Sequence, residues 1–96
     1  MKITIKGFWI FKRFLDGDRG TQIHLGEATL YDALDLLAEK LGQEFERHIF
    51  EGGSKKVKRA ILIMLNGQNY LNLSKKLYTP LEDGDEITFL PMVTGG

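Results

Sequence analysis

The chain has 96 residues, 43% hydrophobic and 27% charged, the balance of one globular domain rather than of a disordered or fibrous chain. Its 13 Lys and Arg are matched by 13 Asp and Glu, so the formal net charge is zero, which argues against a general nucleic-acid binder and against a protein held on a membrane by charge. With no cysteine there can be no disulfide framework, thiol nucleophile, thiolate zinc site or cysteine-ligated iron–sulfur cluster.

Residues 2–8 alternate as a strand does, with Ile3 and Ile5 on one face and Lys2, Thr4 and Lys6 on the other. The apolar run Phe8-Trp9-Ile10-Phe11 fits either a continued strand or a short helical turn, and with Phe14 it reads mainly as core. Asp16-Gly17-Asp18-Arg19-Gly20 is a turn, and Thr21 to Leu25 alternates again as the second strand of a hairpin. Thr29 opens the clearest helix, where its hydroxyl can accept from the otherwise unpartnered N–H groups of the first turn, with Asp32 as the reciprocal cap. Leu30, Leu34, Leu37 and Leu41 recur at helical spacing, flanked by Ala33 and Ala38, and Gly42 ends the helix in the left-handed manner. Gln43 to Phe50 reads as a second short helical piece and Glu51-Gly52-Gly53-Ser54 as a loop.

Ala60 to Leu65 is the most hydrophobic stretch and ends at Asn66-Gly67, which predicts a central strand buried on both faces and then a tight turn. A short return strand is expected over Asn69 to Leu73. Glu86 to Leu90 is the last strand, with Ile87 and Phe89 on one face and Thr88 and Leu90 on the other. The order is hairpin, helix, buried strand, short strand, last strand. It predicts an α+β fold in which the first and last strands lie parallel in the middle of a mixed sheet of four to five strands, packed on one main helix. That is the β-grasp arrangement.

Other chemistry finds little support. His24 and His48 lack metal-ligand spacing and read as surface or packing residues, so no metal site is expected. No segment approaches the roughly 20 apolar residues of a membrane helix. Met1-Lys2-Ile3-Thr4-Ile5 has no apolar signal core, so a cytoplasmic location is expected, with neither nucleic-acid nor membrane partners. There is no nucleophile–base pair and no phosphate loop, so the chain is not expected to be catalytic alone.

The last strand runs directly into Pro91-Met92-Val93-Thr94-Gly95-Gly96. The chain therefore reads as a domain over 1–91 with a flexible tail over 92–96. The five tail residues reach at most about 17 Å, and two terminal glycines can thread a channel that larger residues would block. The stretch from Pro80-Leu81 through Asp83-Gly84-Asp85-Glu86, the apolar strand, Pro91 and the Gly-Gly end resembles the C-terminal signature of the small subunit of molybdopterin synthase, a MoaD-like member of the ubiquitin-like sulfur carriers. Leu65-Asn66-Gly67 fits the same pattern. Met92, where many members carry a second proline, and the basic insertion around 52–58 depart from it, which leaves the subgroup open.

The resemblance implies the following chemistry. An ATP-dependent, ubiquitin-activating-type adenylating enzyme would convert the Gly96 carboxylate to an acyl-adenylate. A sulfur donor protein would then leave a thiocarboxylate there, a 1-thioglycine, with no cofactor bound to the chain itself. The tail, Pro91, Met92, Val93, Thr94 and Gly95, would enter a pocket of the molybdopterin synthase large subunit. There Gly96 would donate sulfur to the dithiolene that later holds molybdenum or tungsten. Leu90 and Phe8, placed by parity on the outer sheet face, are the expected docking residues. Lys55, Lys56, Lys58, Arg59, Lys75 and Lys76 read first as solvated faces, and second as contacts for an acidic patch on a partner.

Three other functions compete. The first is a protein modifier joined to target lysines through Gly96, which begins from the same activated terminus. The second is the sulfur carrier of thiamine synthesis, which the length of the chain and the Pro-Met-Val-Thr run weigh against. The third is a plain β-grasp interaction domain with no terminal chemistry.

Overall fold

A computed structural model describes residues 1–15, 19–51 and 56–91. Residues 16–18 of the expected turn Asp16 to Gly20, 52–54 of the expected loop Glu51 to Ser54, Lys55 of the basic group and the tail at 92–96 lie outside the described residues.

β1 (Lys2–Gly7) is followed by a 3-10 turn over Trp9–Arg13 and then by β2 (Thr21–His24). Two helices, α1 (Leu30–Leu41) and α2 (Gln43–Ile49), precede β3 (Ile61–Leu65), β4 (Gln68–Asn69), two further 3-10 turns and β5 (Glu86–Pro91). The five strands form one sheet in the order β2-β1-β5-β3-β4. β1 and β5 are parallel neighbours at its centre, and the other pairs are antiparallel. The crossover between parallel strands needs a long connection, which α1 and α2 supply. This is the expected mixed sheet and β-grasp, ubiquitin-like fold.

One face of the sheet is covered. Ile3 and Ile5 of β1, Ile61, Ile63 and Leu65 of β3, and Ile87 and Phe89 of β5 form the core with Leu30, Ala33, Leu34, Leu37 and Ala38 of α1. Phe11, Phe45 and Phe89 pack together, with ring centroids 5.6 to 6.3 Å apart, so α2 and the first 3-10 turn close one end of the core. The capping box at the start of α1 is complete: Asp32 N donates to Thr29 Oγ1 (3.2 Å) and Thr29 N donates to Asp32 Oδ2 (2.9 Å). No helix among the described residues is long and apolar enough to cross a membrane.

Several local expectations need correcting. β3 is not buried on both faces, because the sheet has helices on one side only; Leu62 and Met64 point to the other side and are half-buried. The return strand is only two residues long, since Asn69 Oδ1 accepts from Leu71 N (3.0 Å) and turns the chain into a 3-10 turn at Tyr70. The aromatic run divides: Phe11 is buried and Phe14 half-buried, but Trp9 is 69% exposed. Gly42 has φ 95° with ψ −179°. It thus stops α1 in an extended, positive-φ conformation that glycine tolerates, rather than in the left-handed helical one.

Candidate functional site: the root of the C-terminal tail

β5 is hydrogen-bonded into the sheet on both sides. Along β1 it pairs from Thr4↔Glu86 to Gly7↔Phe89, and along β3 from Leu65↔Ile87 to Ile61↔Pro91. Phe8 N then donates to Phe89 O (3.1 Å), which carries the β1 contact one residue further. At its start β5 is fastened by a side chain: Asn66 Nδ2 donates to Asp85 Oδ1 (2.9 Å), and Glu86 N donates to Asn66 Oδ1 (2.9 Å). Asp85 Oδ2 in turn accepts from Glu82 N (2.8 Å). Asn66 has φ 52° and Gly67 φ 82°, the two positive φ values of a tight hairpin turn. The strand that leads to the tail is therefore held along its whole length, and Pro91 at its end is half-buried in the sheet.

The register sets out the uncovered face. Lys6, Thr88 and Met64 lie in one row, and Leu90 and Leu62 in the next, with Phe8 following Gly7 on the β1 side. Phe8, Leu62, Met64 and Leu90 are all half-buried, and Thr88 between the rows is only 6% exposed. Lys6 Nζ and Glu86 Oε2 form an ion pair at 3.3 Å at the border of this patch. Leu90 and Phe8, the two docking residues expected from sequence, thus share one apolar face at the root of the tail. Leu62 and Met64 complete it. They escaped notice because their strand was read as buried on both sides, and the unbroken apolar run from Ile61 to Leu65 does not tell one covered face from two. Trp9 and Ile10, 69% and 44% exposed, follow directly after Phe8. The tail residues expected to carry the chemistry, Met92, Val93, Thr94, Gly95 and Gly96, lie outside the described residues.

No cluster of His, Asp or Glu among the described residues could hold a metal ion. His24 is exposed, and the His48 ring packs near Phe11 and Phe14 with centroids 6.2 and 5.8 Å away. Burial raises the Tyr70 phenol above its ordinary value, so it stays protonated and able to donate throughout the neutral range.

The ThiS family model matches residues 13–96. The chain belongs to the ThiS family. It is therefore a ubiquitin-like sulfur carrier of the ThiS and MoaD kind, and not catalytic by itself. No curated protein matches it by sequence. Among solved structures, the small archaeal modifier protein 1 of Methanosarcina acetivorans is 28% identical with a TM-score of 0.80, over 99% of this chain and 96% of that one. A Pyrococcus furiosus protein provisionally assigned as molybdopterin converting factor, subunit 1, is 22% identical with a TM-score of 0.71, over 97% and 99%. A chain of the BexX/CysO complex of Amycolatopsis orientalis matches at 24% identity and a TM-score of 0.69, over 98% of this chain and 99% of that one. At such identities the last two speak for the fold of this family member and no further.

Proposed function

We propose that this chain is the sulfur-carrying small subunit of a molybdopterin synthase, with Gly96 as the residue whose carboxylate is adenylated and converted to a thiocarboxylate. The observation that carries this reading is the anchoring of β5 through Pro91, beside the apolar row of Leu90 and Leu62. A carrier must present the same terminus to two enzymes in turn, and a rigid root fixes where a short tail can reach. The five residues after Pro91 extend at most about 17 Å, enough to enter a partner's pocket while Phe8, Leu62 and Leu90 rest on its rim. The carboxylate oxygen attacks ATP in the activating enzyme and pyrophosphate leaves. The outer sulfur of a donor protein's persulfide then displaces AMP, and a thiol cleaves the resulting acyl disulfide, leaving a thiocarboxylate on Gly96 and a disulfide on the donor. In the large subunit the thiocarboxylate sulfur bonds to the precursor of the dithiolene, and water hydrolyses the thioester so formed, which leaves the sulfur on the precursor and returns Gly96 to a carboxylate. The partner enzymes supply the bases and the oxyanion donors.

The test is reconstitution. The thiocarboxylated chain, mixed with a molybdopterin synthase large subunit and the pyranopterin precursor, should yield the dithiolene product and regenerate the unmodified chain. A charged chain that binds no large subunit and transfers no sulfur to the precursor rejects this reading.

The match to small archaeal modifier protein 1 favours a second reading, conjugation of Gly96 to lysines of other proteins. Both fates start from the adenylate. Gly-Gly remnants in isopeptide linkage on cellular proteins, lost when Gly96 is deleted, would establish the modifier role.

A further inference from the structure

Zero net charge conceals a marked asymmetry. Between Gly52 and Leu81 the chain holds six Lys and Arg and no Asp or Glu, which leaves seven basic residues against all 13 acidic ones elsewhere. The fold gathers the described cations of that segment around one open cleft of about 1080 Å³. Lys56, Lys58 and Arg59 reach it from the approach to β3, and Lys75 and Lys76 from the loop after β4. Glu51 is the one acidic residue among the described lining. The remainder of the lining is largely apolar, including Leu62, Tyr70, Leu71 and Leu77, and Leu71 is 52% exposed.

The loop that carries Lys75 and Lys76 is braced. Lys76 N donates to Leu73 O (3.1 Å), Tyr78 N to Lys75 O (2.8 Å) and Thr79 Oγ1 to Lys76 O (2.7 Å). Lys76 has φ 48°, a conformation that costs a side-chain-bearing residue about 1–2 kcal/mol and persists only where the surroundings fix it. Tyr78 lies against Tyr31 with near-parallel rings, 25° apart at 6.4 Å. A purely solvated lysine face needs neither an apolar floor nor a braced loop.

We propose that this cleft docks an acidic segment of a partner protein, one carrying apolar side chains among its Asp and Glu residues. The excess of cations selects the charge of the occupant, and the apolar floor selects a peptide over a bare phosphate. Long-range attraction of this kind speeds encounter and sets orientation. Ile61 pairs with Pro91 and also lines the cleft, so a partner held here sits next to the tail root. The binding itself does not depend on sulfur carriage, and its failure leaves the carrier reading standing.

The experiment is fluorescence anisotropy with a labelled peptide of roughly ten residues, rich in Asp and Glu and containing two leucines. The wild-type chain should bind it at least tenfold more tightly than the same peptide with Ser for every acid, and more tightly than one with Ser for both leucines. Affinity should fall as salt rises. The Lys75→Glu/Lys76→Glu variant should lose about tenfold or more, and Lys75→Gln/Lys76→Gln an intermediate amount, with circular dichroism unchanged in both. Equal binding by wild type and both variants overturns the proposal. So does tighter binding of a single-stranded oligonucleotide or of ATP than of the acidic peptide. Concentration-dependent self-association that the peptide cannot displace would assign the cleft to a second copy of the chain instead, and would also overturn it.

Discussion

Gly7 leaves no room for a side chain. A Cβ at this position would lie 2.8 Å from the Phe11 Cβ, 3.0 Å from the Phe11 carbonyl oxygen and 3.1 Å from the Leu15 Cβ. The 3-10 turn after β1 crosses directly over this residue, which is how Phe11 reaches the core while Phe8 stays at the tail root. Gly7→Ala should destabilise the fold by about 1–3 kcal/mol, as overpacking does, seen as a lower urea midpoint with an unchanged m-value. Nothing in the sequence marks Gly7, because its constraint comes from residues that return over it. The cap of α1 is the opposite case. Thr29 and Asp32 are three positions apart, their bonds are local, and the reciprocal pair was legible before any fold was known. Thr29→Ala should cost about 1 kcal/mol by the same urea titration. Trp9 lies between these extremes: its hydrophobicity placed it in the core, but φ of 59° turns the chain there and leaves the ring exposed.

At the scale of elements, β5 decides the architecture. Ile87 and Phe89 face the helices as their alternation implies, and both are fully buried. Phe89 lies against Phe11 and Phe45 at 5.6 and 5.7 Å. Phe89→Ala should therefore cost about 3–5 kcal/mol, which would leave a small domain largely unfolded at moderate denaturant by circular dichroism. Helices and strand order were readable because periodicity and turn residues report them directly. The depth of β3 was not, since an apolar run looks the same whether one face or two are covered. β4 was read too long for a similar reason: the apolar positions Tyr70, Leu71 and Leu73 suggest a strand, but the Asn69 side chain offers the backbone of Leu71 an alternative partner. The actual depth of β3 leaves Leu62 and Met64 half-buried on the uncovered face, and Tyr70 and Leu71, after the short β4, line the basic cleft.

At the scale of the molecule, the β-grasp fold places Pro91, the root of the proposed tail, between an apolar face and a cationic cleft. The apolar face was half legible: Leu90 and Phe8 follow from strand parity, whereas Leu62 required the true depth of the sheet. The cations of the cleft were grouped from sequence, second to a solvated face, as contacts for an acidic partner, but their convergence on an apolar floor was not legible, because Lys56 to Arg59 and Lys75 to Lys76 are separated in sequence and meet only through the fold. Leu90→Asp places a charge on the proposed docking face, outside the buried core cluster. Because Leu90 is half-buried, the change should lower the unfolding free energy from urea titration by about 0.5–3 kcal/mol while the circular dichroism of the fold is unchanged. Binding to the large subunit, measured by calorimetry, should weaken tenfold or more, as loss of a central apolar contact does. The central claim, that Gly96 is the site of sulfur loading, is tested most directly by intact mass. After incubation with the activating enzyme, ATP and a sulfur donor protein, the chain should gain about 16 Da as one terminal oxygen is replaced by sulfur, and the gain should vanish when Gly96 is deleted. An unchanged mass with enzymes that charge another carrier in the same mixture, or the same gain without Gly96, would contradict it.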